Sequence, residues 1–389
     1  MNKVISTERL PIKLWLDDIE SGALAQAKDL ANLFYAWKWI SIMPDSHQGY
    51  GMPIGGVMAT QGVIVPNAVG VDIGCGMIAT KTTLKETEIT VEAVKEIVGK
   101  IRDCIPVGFN HNKEAQPWEG FDDAPDVQIV QQELKSARNQ LGTLGGGNHF
   151  IELQRSDDGH IWLMIHSGSR NFGYKTAKEY HNKAKKLCER WKSDIPNNDL
   201  SFLPMETKDG KDYYEAMKYC LRFAEASRAL MMEKAMRVVK IVTGAEKESE
   251  VNIHHNYAAF ENHYGKNVLI HRKGATKATV GLEGIIPGSM GTSSYIVEGL
   301  GNPESFMSCS HGAGRTMSRS EARGKKKTDR SLDLKTELKR MEGVVHGLRN
   351  AKDLDEAPGA YKDIDVVMEN QKDLVRVVVK LKPVGNIKG

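Results

Sequence analysis

Apolar residues recur at helical spacing in several parts of the chain. Residues three or four positions apart share one face of a helix, so each such stripe predicts an amphipathic helix that packs on the core. The first half of the chain holds three stripes: Leu24, Ala27, Ala31 and Phe34, then Val94, Ile97, Val98 and Ile101, and then Val127, Val130, Leu134, Ala137 and Leu141. Thr90 is a candidate N-cap of the second helix, and Gly142 is expected to end the third.

Residues 172–244 differ from the rest of the chain because helix formers dominate them. A long helical pattern runs from Asp212 to Thr243. Its apolar stripe consists of Met217, Leu221, Ala224, Ala235, Val238 and Val242. Met231 and Met232 are expected to fill the core, since methionine suits irregular gaps. We interpret residues 172–244 as a helical excursion from the main body of the protein.

Short apolar runs between the helices have the length of strands, and they cover residues 57–60, 63–65, 161–165 and 375–382. The alternation of strands and helices predicts a mixed α/β fold. At 389 residues the chain has room for two or three domains, although one large α/β unit is also possible.

The pair Asp158-Gly159 lies between two apolar runs and predicts a two-residue hairpin turn. Counting outward from that turn places Ile151 opposite His166, with His149 on the same face as His166. The two imidazoles are then close enough to share a metal ion. The same count places Glu152 on the opposite face. The alternative interpretation is a pair of strand histidines near a hairpin mouth, without a metal.

Composition excludes some classes of protein. The hydrophobic share of 40% and the charged share of 26% are typical of a soluble globular protein. No segment approaches the run of about twenty apolar residues that spans a membrane, and the N-terminus has no signal peptide, so we expect a cytoplasmic protein. The five cysteines form no CxxC pair, which argues against a disulfide framework. The formal net charge is only +3, so an anionic partner needs a local basic patch.

Asp72 and Cys75 stand three residues apart in a glycine-rich stretch, residues 69–77. Glycine allows the backbone to turn sharply and to approach an ion closely. The carboxylate and the thiolate are then candidate hard and soft ligands of one metal ion. The alternative is a glycine turn around a buried cysteine, because free cysteine packs well in cores. Residue types alone suggest zinc or cobalt as readily as manganese.

Other polar motifs also lie in glycine-rich loops. Asp45 and His47 stand in such a loop, residues 43–56. In an extended chain the adjacent His254 and His255 face opposite ways, so at most one is a ligand of a given ion. Residues 286–295 form a serine- and glycine-rich turn, a candidate phosphate cradle.

His311 stands on a turn of small residues, and a basic run begins four residues later. The run contains Arg315, Arg319, Arg323, Lys325, Lys326, Lys327 and Arg330. A charge run is usually a solvated face, but its position beside the His311 turn favours contact with a phosphate backbone.

Taken together, ten separated segments resemble the RtcB family of RNA-splicing ligases, which join a 3′-phosphate or 2′,3′-cyclic phosphate end to a 5′-hydroxyl. The segments are PDSHQGYGMPIGG, VGVDIGCGM, LGGGNHFIEL, HSGSR, HHNYA, HRKGAT, PGSMGTSSY, SCSHGAGR, AYKDID and the final KG. The resemblance is weak over residues 172–244 and 323–355. It implies one large α/β catalytic domain over residues 1–389, with the helical excursion inside it.

The resemblance also implies the chemistry of the site. Two Mn²⁺ ions would be bridged by the Cys75 thiolate, with Asp72 and His149 on one ion and His166 and His255 on the other. His311 would attack the α-phosphate of GTP to form a histidine–GMP intermediate. The implied guanylate contacts are Asn148, Glu152, Ser289, Ser294, Tyr361 and Lys388. Arg170 and Arg315 would bind RNA or phosphate.

Two other functions remain open at this stage. A dinuclear metallophosphoesterase would use the same ligands to activate water, but it gives His311 no role. A catalytically silent RNA-binding protein would not need the matched ligand set. The substrate expected for the ligase is RNA with the two end groups named above, in tRNA splicing or RNA repair. An archease-type activator is a candidate partner, and we expect a monomer.

Overall fold

The computed structural model describes residues 1–324 and 332–389 and contains two large β-sheets. Its strands are β1 Lys3–Ile5, β2 Ile12–Leu14, β3 Ala36–His47, β4 Ile54–Thr60, β5 Val63–Ile64, β6 Gly76–Lys85, β7 Phe150–Ser156, β8 His160–Ser167, β9 Leu203–Pro204, β10 Lys247–His254, β11 Asn256–His263, β12 Lys266–Lys273, β13 Ala275–Lys277, β14 Glu283–Ile286, β15 Ser294–Gly299, β16 Ser308–Ser310 and β17 Val375–Lys388. One sheet has the order β1-β2-β3-β4-β12-β11, and the other has the order β10-β6-β8-β7-β17-β15-β14. Two small pairs, β13-β16 and β5-β9, complete the strands.

Helices pack around the two sheets, which confirms the predicted mixed α/β fold. They are α1 Ser21–Ala31, α2 Pro66–Val69, α3 Val91–Cys104, α4 Gln128–Gln140, α5 Arg170–Trp191, α6 Lys208–Thr243, α7 Arg319–Arg323, α8 Leu334–Arg340 and α9 Ile364–Glu369. Among the described helices, none combines the length and the apolar character needed to cross a membrane.

The predicted helix signals hold for α3 and α4. The Thr90 side chain accepts a hydrogen bond from the backbone N–H of Ala93, as expected of an N-cap. Helix α4 ends at Gln140, and Gly142 follows with a φ of +69°. Helix α1 is shorter than predicted, because it ends at Ala31. Phe34 therefore lies outside it and is 58% exposed.

The long helix α6 belongs to the core of the molecule as much as the sheets do. Its Phe223 packs in one apolar cluster with residues of α2, α4, α5 and β12. Met231 and Met232 lie in a second cluster with residues of α3, β6 and β8, and both are buried as predicted. The two helices α5 and α6 thus occupy the segment predicted as a helical excursion. The limits of that excursion and of the single domain stay predictions.

The predicted register of the β7–β8 hairpin is wrong by one residue. Phe150, and not Ile151, pairs with His166, because the loop has three residues and not two. The loop ends with Gly159 at a φ of +80°, in the pattern of a three-residue hairpin. The shift moves Glu152 to the face that carries His166, which corrects its predicted position. His149 precedes the strand, and its ring reaches His166 from there, with ring centroids 5.2 Å apart.

Strand β17 is longer than its apolar run predicted and lies between β7 and β15. Its last residues place Asn386 opposite Glu152 and Lys388 opposite Phe150. The chain thereby brings the final KG motif to the face of the β7–β8 hairpin that carries Glu152 and His166. The part of the predicted basic run from Lys325 to Arg330 lies outside the described residues.

Candidate active site

Side chains from both large sheets line one pocket, and most of the predicted site residues are on its wall. These are Asp72, Cys75, Asn148, Glu152, His166, His255, Ser289, His311, Arg315, Tyr361 and Lys388. Three predicted residues, His149, Arg170 and Ser294, lie immediately behind that wall. The motifs singled out in the sequence therefore converge on one place.

Five of these side chains form a continuous row of potential metal ligands. Cys75 Sγ is 3.4 Å from His149 Nε2 and 3.2 Å from His166 Nε2. His149 Nε2 is also 3.1 Å from Asp72 Oδ2, and His166 Nε2 is 3.4 Å from His255 Nε2. The thiol is thus at the centre, with a carboxylate and an imidazole on one side and two imidazoles on the other. The donor atoms of Cys75, His149 and His166 all lie within 4.8 Å of one another.

The backbone around Cys75 brings three strand ends together. Gly74 has a φ of +72°, which favours glycine, and a Cβ there would press on the Ala224 side chain of α6 at 3.1 Å. Cys75 then accepts a hydrogen bond at its carbonyl from the backbone N–H of His255, at 2.9 Å. This bond turns the His255 side chain toward the pocket. The His254 side chain faces away, as the alternation of an extended chain predicts.

Protonation states in this cluster suit a metal centre. Burial lowers the pKa of His166 and of His255 well below the ordinary value, so both rings are neutral. His166 Nδ1 donates to the Asn148 carbonyl at 3.1 Å, which leaves the Nε2 lone pair directed at Cys75. Burial and the charge of Asp72 raise the pKa of the Cys75 thiol. Metal binding would therefore release a proton from this thiol. A converging set of sulfur, nitrogen and oxygen donors fits a transition metal.

His311 lies next to this cluster, with its ring centroid 4.7 Å from that of His255. Its Nδ1 donates to Asp45 Oδ2 at 2.6 Å, and its backbone N–H donates to the same oxygen at 3.1 Å. Asp45 is fully buried. Gly314, with a φ of +74°, allows the turn after His311 to touch the Asp45 backbone. Within the described residues, His311 Nε2 has no hydrogen-bond partner, so its lone pair is available in the pocket.

Asp45 and His47 belong to the site although the sequence analysis assigned them only to a shaped loop. His47 lines the pocket, and its Nδ1 lies 3.1 Å from the Asp45 carbonyl. Burial lowers its pKa to about 4. Lys362 of the AYKDID motif holds this loop through the carbonyls of Pro44 and Ser46. The available signals were an aspartate close to a histidine in a glycine-rich loop and the presence of that loop among the ten segments of the family resemblance.

Glu356 is a second residue that the sequence analysis missed. Its carboxylate accepts from Arg315 at 3.4 Å, Arg319 at 3.3 Å and Lys388 at 3.1 Å, and also from the hydroxyl of Tyr361. Burial opposes the ionisation of Glu356, but these cations outweigh it and lower its pKa. One buried carboxylate therefore gathers four of the donors that border the pocket.

Glu152 is held by two side-chain amides on the pocket wall. Asn386 donates to one carboxylate oxygen at 2.8 Å, and Gln154 donates to the other at 2.5 Å. Gln154 also donates to Ser294 Oγ at 3.1 Å, which explains the place of Ser294 behind the wall. Burial raises the pKa of Glu152 to about 7. This carboxyl group can therefore change its charge near neutral pH.

Two predicted contact residues remain to be placed, Ser289 and Arg170. Ser289 Oγ is 2.9 Å from Thr292 Oγ1, within the serine- and glycine-rich turn. Arg170 has a φ of +59° and donates to the Gly108 carbonyl at 2.6 Å and to Thr143 Oγ1 at 3.0 Å. Burial opposes the ionisation of Asp72, but the hydrogen bond and charge of His149, a hydrogen bond with Cys75 and the charge of Arg170 together lower its pKa. The charge of Arg170 thus favours the ionised form of Asp72.

Comparisons with known proteins identify the family to which the chain is similar. The sequence model of the family described as "tRNA-splicing ligase RtcB" matches residues 26–389. The RNA-splicing ligase RtcB of Escherichia coli (strain K12) is 36% identical over 417 residues, which cover 100% of this chain and 99% of the relative. The tRNA-splicing ligase RtcB of Thermococcus kodakarensis is 31% identical over 465 residues, which cover 98% of this chain and 95% of the relative. The RNA-splicing ligase RtcB of Mycobacterium tuberculosis is 30% identical over 418 residues, which cover 89% of this chain and 96% of the relative.

Proposed function

The chain belongs to the RtcB family of RNA-splicing ligases, enzymes that join RNA ends, and we propose that it uses GTP to join a 3′-phosphate or 2′,3′-cyclic phosphate end to a 5′-hydroxyl. One observation carries the proposal. A histidine with an available Nε2, held at Nδ1 by a buried carboxylate, lies beside a row of five potential metal ligands. A phosphoesterase would need the ligands but not the histidine.

The metal centre is proposed to hold two Mn²⁺ ions. Asp72 and His149 would bind one ion, His166 and His255 the other, and Cys75 would bridge them. The central position of Cys75 Sγ between two pairs of ligands supports this division. The choice of Mn²⁺ rests on the family, because a thiolate ligand by itself favours softer metals. Bound metal would neutralise triphosphate charge and favour the departure of pyrophosphate.

His311 performs the first step of the proposed reaction. Its Nε2 forms a bond to the α-phosphorus of GTP, and the bond from that phosphorus to pyrophosphate breaks. Asp45 accepts a hydrogen bond from the Nδ1–H, which keeps the Nε2 lone pair free for the attack and stabilises the positive charge that the ring then carries. The guanylate then passes from His311 to an oxygen of the RNA 3′-phosphate. The 5′-hydroxyl finally attacks that 3′-phosphorus, releases GMP and leaves a phosphodiester. Arg170 and Arg315 are proposed to bind RNA or phosphate.

Guanine is proposed to bind on the wall that carries Glu152. An ionised Glu152 can accept two hydrogen bonds from the donors of a guanine ring, which adenine does not present in that arrangement. Asn148, Ser289, Ser294, Tyr361 and Lys388 complete the proposed set of guanylate contacts. The buried amides of Asn386 and Gln154 support it by holding both oxygens of Glu152 in place.

Replacing Asp45 by asparagine should slow guanylation of His311 by at least about 100-fold. An amide can donate to Nδ1, which leaves the proton on Nε2 and removes the attacking lone pair. Mn²⁺ affinity should stay within twofold of the wild type, because Asp45 is not a proposed ligand. Single-turnover formation of the GMP adduct measures the rate, with Asp157→Asn on the hairpin surface as control. A wild-type rate in Asp45→Asn would remove the orienting role.

Guanosine should bind more tightly as the pH rises through about 7, the pKa of Glu152 in the free protein. Below that pH the carboxyl is protonated and offers one fewer acceptor to the base. Guanosine is the appropriate probe because it carries no phosphate that titrates in the same range. Calorimetric titrations at several pH values measure the effect. Glu152→Gln should bind weakly at every pH, and an unchanged pH slope in that variant would assign the titration to another group.

The proposed activity is tested directly with radiolabelled GTP and Mn²⁺, followed by a denaturing gel. A labelled protein band, and ligation of RNA that carries 3′-phosphate and 5′-hydroxyl ends, are the expected results. Release of phosphate without joining would instead favour a phosphoesterase.

We further propose that the protein acts as a cytoplasmic monomer in tRNA splicing or RNA repair, with an archease-type protein as a candidate activator. Addition of that activator should then raise the rate of guanylation.

A further inference from the structure

Arg228 is a fully buried arginine near the middle of α6, and it has no role in the function proposed above. All of its hydrogen bonds go to uncharged groups. Its Nε donates to Asn252 Oδ1 at 2.9 Å, and its Nη2 donates to His254 Nδ1 at 3.2 Å. Its Nη1 donates to two backbone carbonyls, those of Gly74 and Ser167, at 3.0 Å each. An arginine buried without a hydrogen-bonded carboxylate is costly, so it calls for an explanation.

Three of the four partners of Arg228 share one property, which is that each stands next to a proposed metal ligand in the sequence. Gly74 comes directly before Cys75, Ser167 directly after His166, and His254 directly before His255. The three partners lie at the ends of neighbouring strands, since β10, β6 and β8 are adjacent in the sheet. Gly76 pairs with His254 on one side and with Ser167 on the other. The guanidinium therefore spans the row of strand ends from which three of the five ligands project.

The rigid fork of arginine suits this task. A planar guanidinium directs its donors along fixed lines, so it sets the distances between the groups that it binds. His254 Nδ1 lies 3.2 Å from Arg228 Nη2 and 3.2 Å from the Gly74 carbonyl, and its Nε2 lies 3.9 Å from Glu225. These contacts hold the ring of His254 on the α6 side, and the next residue then faces the pocket.

We propose that Arg228 is a positioning residue of the metal centre, which fixes the spacing of Cys75, His166 and His255 by binding the residue next to each of them. The inference rests on the function proposed above, because it concerns the same five ligands. Helix α6 lies in the part of the chain where the family resemblance is weak, yet it supplies the residue that ties the ligand-bearing strands together. The positive charge of Arg228 is secondary in this role, and the fixed directions of its N–H donors make the main contribution to the spacing of the three ligands.

The test measures metal binding and not only ligation. Purified full-length protein is stripped of metal, and the affinity for Mn²⁺ alone is measured by equilibrium titration. With Co²⁺ as a second probe, the absorption band of the thiolate–cobalt bond reports the geometry at Cys75. Arg228→Met should bind Mn²⁺ at least about tenfold more weakly, as expected for the loss of a residue that orients ligands. The thiolate–cobalt band should also lose intensity per bound ion.

Two further variants separate positioning from general damage to the fold. Arg228→Lys keeps the charge but not the fork, so its Mn²⁺ affinity should lie between those of the wild type and Arg228→Met. It also provides the measurement if Arg228→Met does not fold. Met231→Ala is the matched control, since Met231 is fully buried on the same helix but packs in an apolar cluster. This control should lower the unfolding temperature and leave Mn²⁺ affinity within twofold of the wild type.

Three results would overturn the positioning role of Arg228. Wild-type Mn²⁺ affinity in Arg228→Met, or in Arg228→Lys where only that variant folds, overturns the positioning role while the proposed function stands. Equal weakening in Met231→Ala and Arg228→Met also overturns it, because the loss would then follow from destabilisation. A wild-type protein that binds neither Mn²⁺ nor Co²⁺ would reject the metal centre of the proposed function, and this inference with it.

Discussion

His311→Ala should form no covalent GMP adduct and should lose ligation of 3′-phosphate RNA by at least about 10⁴-fold, as expected when a covalent nucleophile is removed. The reason lies in the geometry of the pocket. His311 Nε2 is available, Asp45 binds Nδ1, and His255 of the ligand cluster lies next to the ring. Transfer of GMP to Nε2 needs each of these features. An alanine offers no substitute nucleophile at that point.

The same variant should keep Mn²⁺ binding within twofold of the wild type, since His311 is not a proposed ligand. It should also seal RNA that already carries a 3′-guanylate, because such a substrate bypasses the missing step. The adduct of the wild-type protein should be labile in acid and stable in alkali, as a phosphoramidate is. His160→Ala, in the β7–β8 hairpin, is the matched control, because the His160 and His311 side chains are exposed to the same extent, 13%, and this variant should retain labelling. A labelled His311→Ala protein would show that another residue carries the nucleotide.

Cys75→Ala should lose both bound metal and activity. The thiol lies within 3.4 Å of His149 Nε2 and within 3.2 Å of His166 Nε2, so it connects the two halves of the ligand row. An alanine would leave three imidazoles and one carboxylate without a common ligand. We expect Mn²⁺ affinity to fall by at least about 100-fold, the upper range for changes around a metal site. Elemental analysis of the purified variant measures the occupancy.

The fold itself should tolerate this change. Cys75 is buried, but a cysteine-to-alanine substitution removes one atom, and the expected loss of stability is about 1 kcal/mol. Cys188→Ala is a suitable control, because Cys188 is also buried and lies beside Phe202, away from the pocket. That variant should keep its metal and its activity. Full Mn²⁺ occupancy in Cys75→Ala would exclude the bridging role.

The sequence predicted the helices and most of the site, because both depend on local patterns. Apolar spacing located α3, α4 and α6, and the Thr90 cap followed from residue type alone. Glycine-rich turns marked Asp72, Cys75 and His311, since few residues other than glycine permit such backbones. The family resemblance then assigned these residues to one reaction, and the structure brings them to one pocket.

The hairpin register shows what local patterns do not determine. A turn of two residues and a turn of three both suit Asp158-Gly159. The choice depends on Ser156, whose hydroxyl binds both the N–H and the carbonyl of His160. That difference of one residue decides which face carries Glu152. The two rings of His149 and His166 lie close together, as predicted, although the register was wrong, because His149 precedes the strand and is not bound by its alternation. That they share a metal ion stays a prediction.

Contacts between distant residues were the other part that the sequence could not supply. Asp45 and His311 are 266 residues apart, and nothing near either of them indicates the other. No sequence pattern singled out Arg228, since periodicity does not reveal that an arginine within a long helix is fully buried. Glu356 lies in a stretch without glycine motifs, so its four donors could be found only in the folded protein.

The position of β17 has a consequence for how the protein is made. This strand fills the gap between β7 and β15, and its Asn386 pairs with Glu152, 234 residues earlier. At a synthesis rate of about 5–20 residues per second, the ribosome needs on the order of 10–45 s to pass from β7 to β17. During that interval β7 and β15 carry open edges that can pair with other chains. Nascent chains are therefore expected to need chaperone protection, and the wall that carries Glu152 stays incomplete until residues 375–388 have emerged from the ribosome.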